Sequence, residues 1–180
     1  MRSNNVMRCR PLAKFAKFLA DAKAVAAVEF GLIAAPFIAL LVAILEVGLV
    51  FLAQQVLQTA TSQAGRLIMT GQAQNANLTA AQFQTDVCNF ATSLFSCPGI
   101  YVNVQKFANF SGVSMTNPLS GGNFSSAGLQ YTPGGPGDIV VVQVFYQWPV
   151  YTAPLNFNLS NVSGGYALLV GTAAFRVEPY

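Results

Sequence analysis

Polar and apolar positions divide the chain into three regimes. From Phe30 to Ala53 apolar residues follow one another with a single charge, Glu46, and no other strongly polar side chain. About 20 apolar residues cross a bilayer as a helix, so this stretch predicts one membrane span. Past it the pattern becomes periodic. Val56, Leu57, Ala60, Ala64, Leu67 and Ile68 recur at steps of three and four, which marks one apolar face of a helix. Gln54, Gln55, Gln58, Ser62 and Gln63 fill the other faces, and the pattern breaks at Gly71. The prediction is one helix of about 40 residues, its first half in lipid and its second half covering a domain.

A second helix opens in "NLTAAQFQTDVCNF". Thr79 and Gln82 form a T-x-x-Q capping box, with Leu78 and Phe83 placed as a hydrophobic staple. Phe83, Val87, Phe90 and Leu94 then share one face. Three strands are predicted next, in "IYVNVQKF", "DIVVVQVFYQWPV" and "YALLVGTAAFRV", from alternation and β-branched or aromatic content. In the first, Ile100, Val102 and Val104 alternate with the polar Asn103 and Gln105. Pro149 should end the second, and Gly171 marks a bulge or a close-packing point in the third. Residues 117–137, rich in Gly, Ser, Asn and Pro, predict an exposed, mobile loop. An antiparallel sheet packed on the long helix is the way to bury these faces, giving an α+β fold.

Charge orients the chain. Of nine basic residues, six (Arg2, Arg8, Arg10, Lys14, Lys17, Lys23) precede the apolar run. The positive-inside rule then places the N-terminus in the cytoplasm and everything after about Ala53 outside. Leu12, Phe15, Phe18 and Leu19, with lysines between them, suit either a helix lying on an anionic leaflet or a bare topology signal. Basic charge confined to one end is no nucleic-acid footprint. Only 8% of residues are charged and 53% are hydrophobic, against about a quarter charged in ordinary soluble domains.

The cysteines split across the span. Cys9 falls on the reducing side; Cys88 and Cys97 fall outside, where a disulfide persists. An unbroken helix would hold those two roughly 13–14 Å apart, while a disulfide needs Cα atoms within about 7 Å. A bridge therefore requires the helix to end or turn before Pro98-Gly99. With no histidine, and only Asp86, Asp138 and Glu178 as carboxylates beyond the span, a zinc site or a Ser-His-Asp triad has no parts. No cofactor is expected. Triplets such as Asn77-Leu78-Thr79 arise easily in an Asn/Ser-rich chain and are given no weight.

"AVAAVEFGLIAAPFIALLVAILEVG" resembles the N-terminal segment of TadE-like proteins, minor pilins or pseudopilins of the Flp (Tad, type IVc) pilus system. Val25 to Phe30, Pro36 and Ile44 to Gly48 carry the resemblance, and the ending Phe175-Arg176-Val177-Glu178-Pro179-Tyr180 is similar to the family's R-x-E-P-aromatic close. The middle is carried by architecture alone. The resemblance implies a pilin-like fold and a non-enzymatic role in pilus assembly and adhesion. The implied partners are the bacterial inner membrane, other pilin subunits, the assembly machinery and a prepilin peptidase.

The resemblance places the peptidase cut between Ala24 and Val25, with alanine where the family usually has glycine. Both cleavage and a permanent anchor stay open. It also assigns Glu29, beside Phe30, to register: its carboxylate would pair with a neighbouring subunit's new amino terminus, since a carboxylate near a membrane is costly unless paired. Pro36 would bend or loosen the helix. Glu46 is left with three options: snorkelling, protonation, or a polar group on a partner's span. The organisation that follows is a basic leader at 1–24, a span at 25–53 and a periplasmic α+β domain at 54–180. An uncleaved, envelope-anchored binding module is the competing reading.

Overall fold

The computed structural model describes residues 22–91, 94–151 and 159–180, with the backbone alone at 22–24. The expected leader helix, most of the basic cluster and Cys9 lie outside the described residues. Helix α1 (Ala22–Met69) is followed by a short α2 (Gln72–Asn75) and by α3 (Ala80–Ala91). Strands β1 (Ile100–Phe107), β4 (Ile139–Pro149) and β5 (Tyr166–Arg176) form an antiparallel sheet in the order β1-β4-β5. Between β1 and β4, β2 (Leu119–Ser120) and β3 (Asn123–Phe124) make a small hairpin. The chain divides into two compact units, Met1–Ile44 and Leu45–Tyr180.

In the second unit the later part of α1 packs on the sheet. Leu57, Ala60, Ala64 and Ile68 are fully buried, with Ala53 and Thr61 beside them. Small residues at three of these positions let helix and sheet approach closely. At Gly171, opposite Val144 in β4 without a bulge, a Cβ would lie 2.1 Å from Thr61 Oγ1 and 3.0 Å from the Leu57 carbonyl oxygen. Phe83, Val87 and Ala91 of α3 complete this core against Val140, Val142 and Val144, the side chains on one face of β4. Helix α3 starts as its capping box requires. Thr79 N donates to Gln82 Oε1 at 2.9 Å and Gln82 N donates to Thr79 Oγ1 at 3.3 Å.

The C-terminal tail closes the end of α1. Glu178 N donates to the Met69 carbonyl at 2.9 Å, and Arg176 Nε donates to the Gly137 carbonyl at 3.1 Å. Gly71 turns the chain with φ 75°, and a Cβ there would meet the Tyr180 ring at 2.2 Å. Glycine is therefore required twice over, by conformation and by space.

Polar side chains find partners that the sequence pattern does not show. Gln54 and Gln58, which fill faces of α1 other than the apolar one, bind β5, as described below. The polar positions of β1 and β4 also include buried residues. Asn103 and Gln143 are buried, with Asn103 Nδ2 donating to Gln143 Oε1 at 3.1 Å and to Thr116 Oγ1 at 3.0 Å. Gln130 N donates to Asn103 Oδ1 at 2.9 Å, and Thr116 N to Gln143 Oε1 at 3.0 Å. The loop predicted to be exposed is largely so, while Thr116 before it and Gln130 within it satisfy these amides, and its Phe124 packs between Tyr101 and Phe145.

Gly171→Ala should force α1 off the sheet and lower stability by about 1–3 kcal/mol. Gly128→Ala, whose Cβ would meet nothing within 4 Å, should leave it unchanged. Thermal unfolding of the full chain in detergent separates the two. A second expectation concerns Tyr131, whose phenol pKa is raised by burial and then by Asp86. The unfolded phenol ionises near its ordinary 10.0 while the folded one keeps its proton, so the unfolded chain binds fewer protons and stability falls as pH rises above that value. The Tyr131 hydroxyl has no hydrogen-bond partner among the described residues. Tyr131→Phe should therefore flatten the alkaline loss in a stability–pH profile and cost little at neutral pH.

Candidate functional site

The first part of α1 is an apolar rod with its side chains turned outward. Phe30, Leu32, Ile33, Phe37 and Ile38 are all exposed. α1 is long and apolar enough to cross a membrane. A core helix of a water-soluble domain would bury these residues, so their exposure calls for lipid or other apolar helices around them.

The residues assigned to assembly lie on this rod. Val25 and Glu29 are exposed, Glu29 next to the Phe30 ring in sequence. Among the described residues the ion pair is Lys106–Asp138 at 3.9 Å, and Glu29 has no basic partner. The side chain of Ala24 is not described. Helix α1 runs through Pro36 without interruption. Proline has no N–H, so the Leu32 carbonyl loses its usual helical donor there.

Glu46 has a partner within its own chain that the sequence-based options did not include. It is only 7% exposed, and its Oε1 accepts the backbone N–H of Tyr151 at 2.5 Å. The carboxylate is taken up within its own chain, at the point where the segment after β4 meets α1. Counted from Val25, 21 helical steps of 1.5 Å give roughly 32 Å, close to the thickness of a bilayer's hydrocarbon core. Glu46 therefore stands about one such thickness along α1 from Val25, before the apolar run ends at Ala53. There a carboxyl oxygen out of water needs a donor, and the Tyr151 N–H, two residues beyond β4, supplies one.

Two turns on, α1 is bound to the sheet by side-chain amides. Gln54 Nε2 donates to the Val170 carbonyl at 2.8 Å, and Val170 N donates back to Gln54 Oε1 at 3.3 Å. Gln58 repeats this on Thr172, at 2.8 Å and 3.0 Å. The repeat is a match of pitches: four helical residues rise about 6.0 Å and two strand residues about 6.8 Å. Asn161 Oδ1 accepts from Leu168 N at 2.7 Å further along the same edge. On the opposite edge, Val104 N donates to Gln130 O at 2.7 Å and Val104 O accepts from Thr132 N at 2.8 Å. Both outer strands thus have backbone groups already engaged, which discourages strand addition there by another chain.

Cys88 and Cys97 form a disulfide with Cα atoms 5.4 Å apart. The geometry is possible because α3 ends at Ala91, so the two cysteines do not share one unbroken helix. Among the described residues no group of three His, Cys, Asp or Glu is placed to hold a metal. An open depression lined by Pro136, Gly137, Arg176, Val177, Glu178 and Pro179 presents no nucleophile beside a base.

Residues 24–66 match the family model described as TadE-like protein. The match covers α1 almost to its end, including Glu29, Pro36, Glu46 and both clamping glutamines, and excludes the sheet. No curated protein and no solved structure matches the chain.

Alkylation of the unreduced full chain should modify one of its three cysteines, and all three after reduction. Breaking the bridge should cost about 2–3 kcal/mol in denaturant titrations, the scale for a short loop. Glu46→Ala should speed hydrogen exchange at the Tyr151 amide and lower stability by about 1–2 kcal/mol, whereas Glu46→Gln, which keeps an acceptor, should do less.

Proposed function

We propose that this chain is a minor pilin or pseudopilin-like subunit that takes part in assembling a Flp/Tad-type pilus. The observation that carries the reading is the coincidence of two facts. The TadE-like match falls on α1, and the first part of α1 displays large exposed apolar side chains. In this reading the chain sits in the bacterial inner membrane with its N-terminus in the cytoplasm. Residues 1–24 are a leader, 25–53 the span and 54–180 the periplasmic domain.

Assembly is then an exchange of neighbours. Lipid around α1 is replaced by the helices of other subunits, at little cost because both surroundings are apolar. Glu29 sets register by pairing with the amino terminus of an adjacent subunit, a specificity role of the kind a buried ion pair can fill. Engaged strand edges leave the helix as the main route of contact. A permanent anchor in the envelope, outside any pilus, is the second reading. It is favoured by Ala24, which stands where the resemblance leads one to look for glycine.

The two readings part at the N-terminus. Mass spectrometry of the protein from its native host should find it starting at Val25, and starting at Met1 when the prepilin peptidase is deleted. A start at Met1 in both strains supports the anchored module. Glu29→Ala should reduce pilus number several-fold without changing the amount of protein in the membrane; unchanged piliation would remove the register role.

A further inference from the structure

The sheet carries its charge at one end. Between Asp138 and Arg176 the sequence has no Asp, Glu, Lys or Arg. The strands place Lys106 opposite Val140 and Arg176 opposite Ile139, with Asp138 and Glu178 just beyond the strand ends on that side. The opposite end, where Pro149 pairs with Tyr166, is reached after ten strand steps, roughly 33 Å. α1 runs along this gradient. It meets the uncharged end at Glu46, through Tyr151, and the charged end at Met69, through Glu178.

The uncharged end exposes tyrosine and leucine side chains beside small neutral residues, Asn161, Ser163 and Gly164. Tyr151 is 78% exposed, Tyr166 is exposed at the first position of β5, and Leu159 is exposed in the segment before it. Leu45, Leu49 and Leu52, on the turns of α1 flanking Glu46, are exposed as well. The backbone around the two tyrosines is fixed. Val150 N donates to Gly165 O at 2.9 Å, and Val162 N and Asn161 N both donate to Tyr166 O, at 3.0 Å and 3.1 Å. Glu46, the one carboxylate at this end, has its oxygen occupied by Tyr151 N.

We infer that this end of the sheet, carrying Tyr151 and Tyr166, rests in the headgroup layer of the bilayer on the side where α1 emerges, so that the partner of this surface is phospholipid. Tyrosine is suited to that depth, its ring in the apolar boundary and its hydroxyl in water. The surface is continuous with the apolar turns of α1. It lacks the charges that would resist desolvation, and the charged end is held about 33 Å away in water. The bond from Glu46 to Tyr151 then sets the height of the domain on the membrane. The inference rests on the reading of α1 as a membrane span.

The test uses the full chain reconstituted in phosphatidylcholine vesicles brominated either near the headgroup or deep in the acyl chains. Trp148 is the only tryptophan. Two reporters are compared, Trp148→Phe/Tyr151→Trp at the proposed contact and Trp148→Phe/Phe37→Trp in the span. The contact reporter should lose emission to shallow bromines and little to deep ones, and the span reporter should lose more to deep bromines. Quenching of the span reporter alone overturns the inference while leaving the span in place. Quenching of neither overturns both. Blue-shifted but unquenched emission from the contact reporter means that a second protein chain covers the site, which also overturns it. If removing Trp148 alters the near-ultraviolet circular dichroism, the comparison is made with Trp148 kept, as the difference between Tyr151→Trp and the parent.

Discussion

An edge strand held by two glutamines is the constraint on which the second unit depends. A strand edge leaves N–H and C=O groups that must find partners, in water or in protein. Gln54 and Gln58 supply those partners at Val170 and Thr172. Because each amide both donates and accepts, the side chains act as a short stretch of strand. Register follows: shifting α1 by one residue would carry both amides off their targets. Gly171, between the two bonded residues, lets the helix come close enough for the bonds to form. Glu46 at one end and Met69 at the other add bonds to Tyr151 and Glu178, so this part of α1 is fixed along its length.

That attachment bears on how the chain could assemble. A small sheet with open edges invites strand addition by other chains. Here the edges are engaged, by glutamines on β5 and by the Gln130–Thr132 segment on β1. The polar amides of Asn103 and Gln143 are likewise bonded beneath the loop rather than offered outward. The large apolar surface left is the first part of α1, which is where the TadE-like match lies. Folding of the domain and assembly through the helix thus draw on different stretches of one continuous element.

The sequence was informative where periodicity alone determines burial. Leu57, Ala60, Ala64 and Ile68 mark their face by spacing, and the three main strands are legible from β-branched alternation because a central strand such as β4 is buried on both faces. The capping box at Thr79 and Gln82 is a local signal, and it forms as such. Polar residues were less readable, for a physical reason. A glutamine on a helix face looks alike whether it meets water or a strand edge, since both offer donors and acceptors. Gln54 and Gln58 are four apart, a spacing that fits a strand's two-residue step, but only the fold shows that a strand lies there. Asn103 and Gln143 have the same ambiguity, settled by an irregular loop with no period to read. Glu46 was legible as costly, while its partner, a backbone N–H 105 residues away, was not.

The central claim is that the exposed first part of α1 exchanges lipid for the helices of other pilus subunits. The most direct test places a photo-crosslinking amino acid at Phe30 in the native host and identifies the adducts by mass spectrometry during pilus assembly. The account predicts adducts with other pilin-like subunits that vanish when assembly is blocked, leaving lipid adducts behind. Lipid adducts alone, equal in assembling and blocked cells, would contradict it.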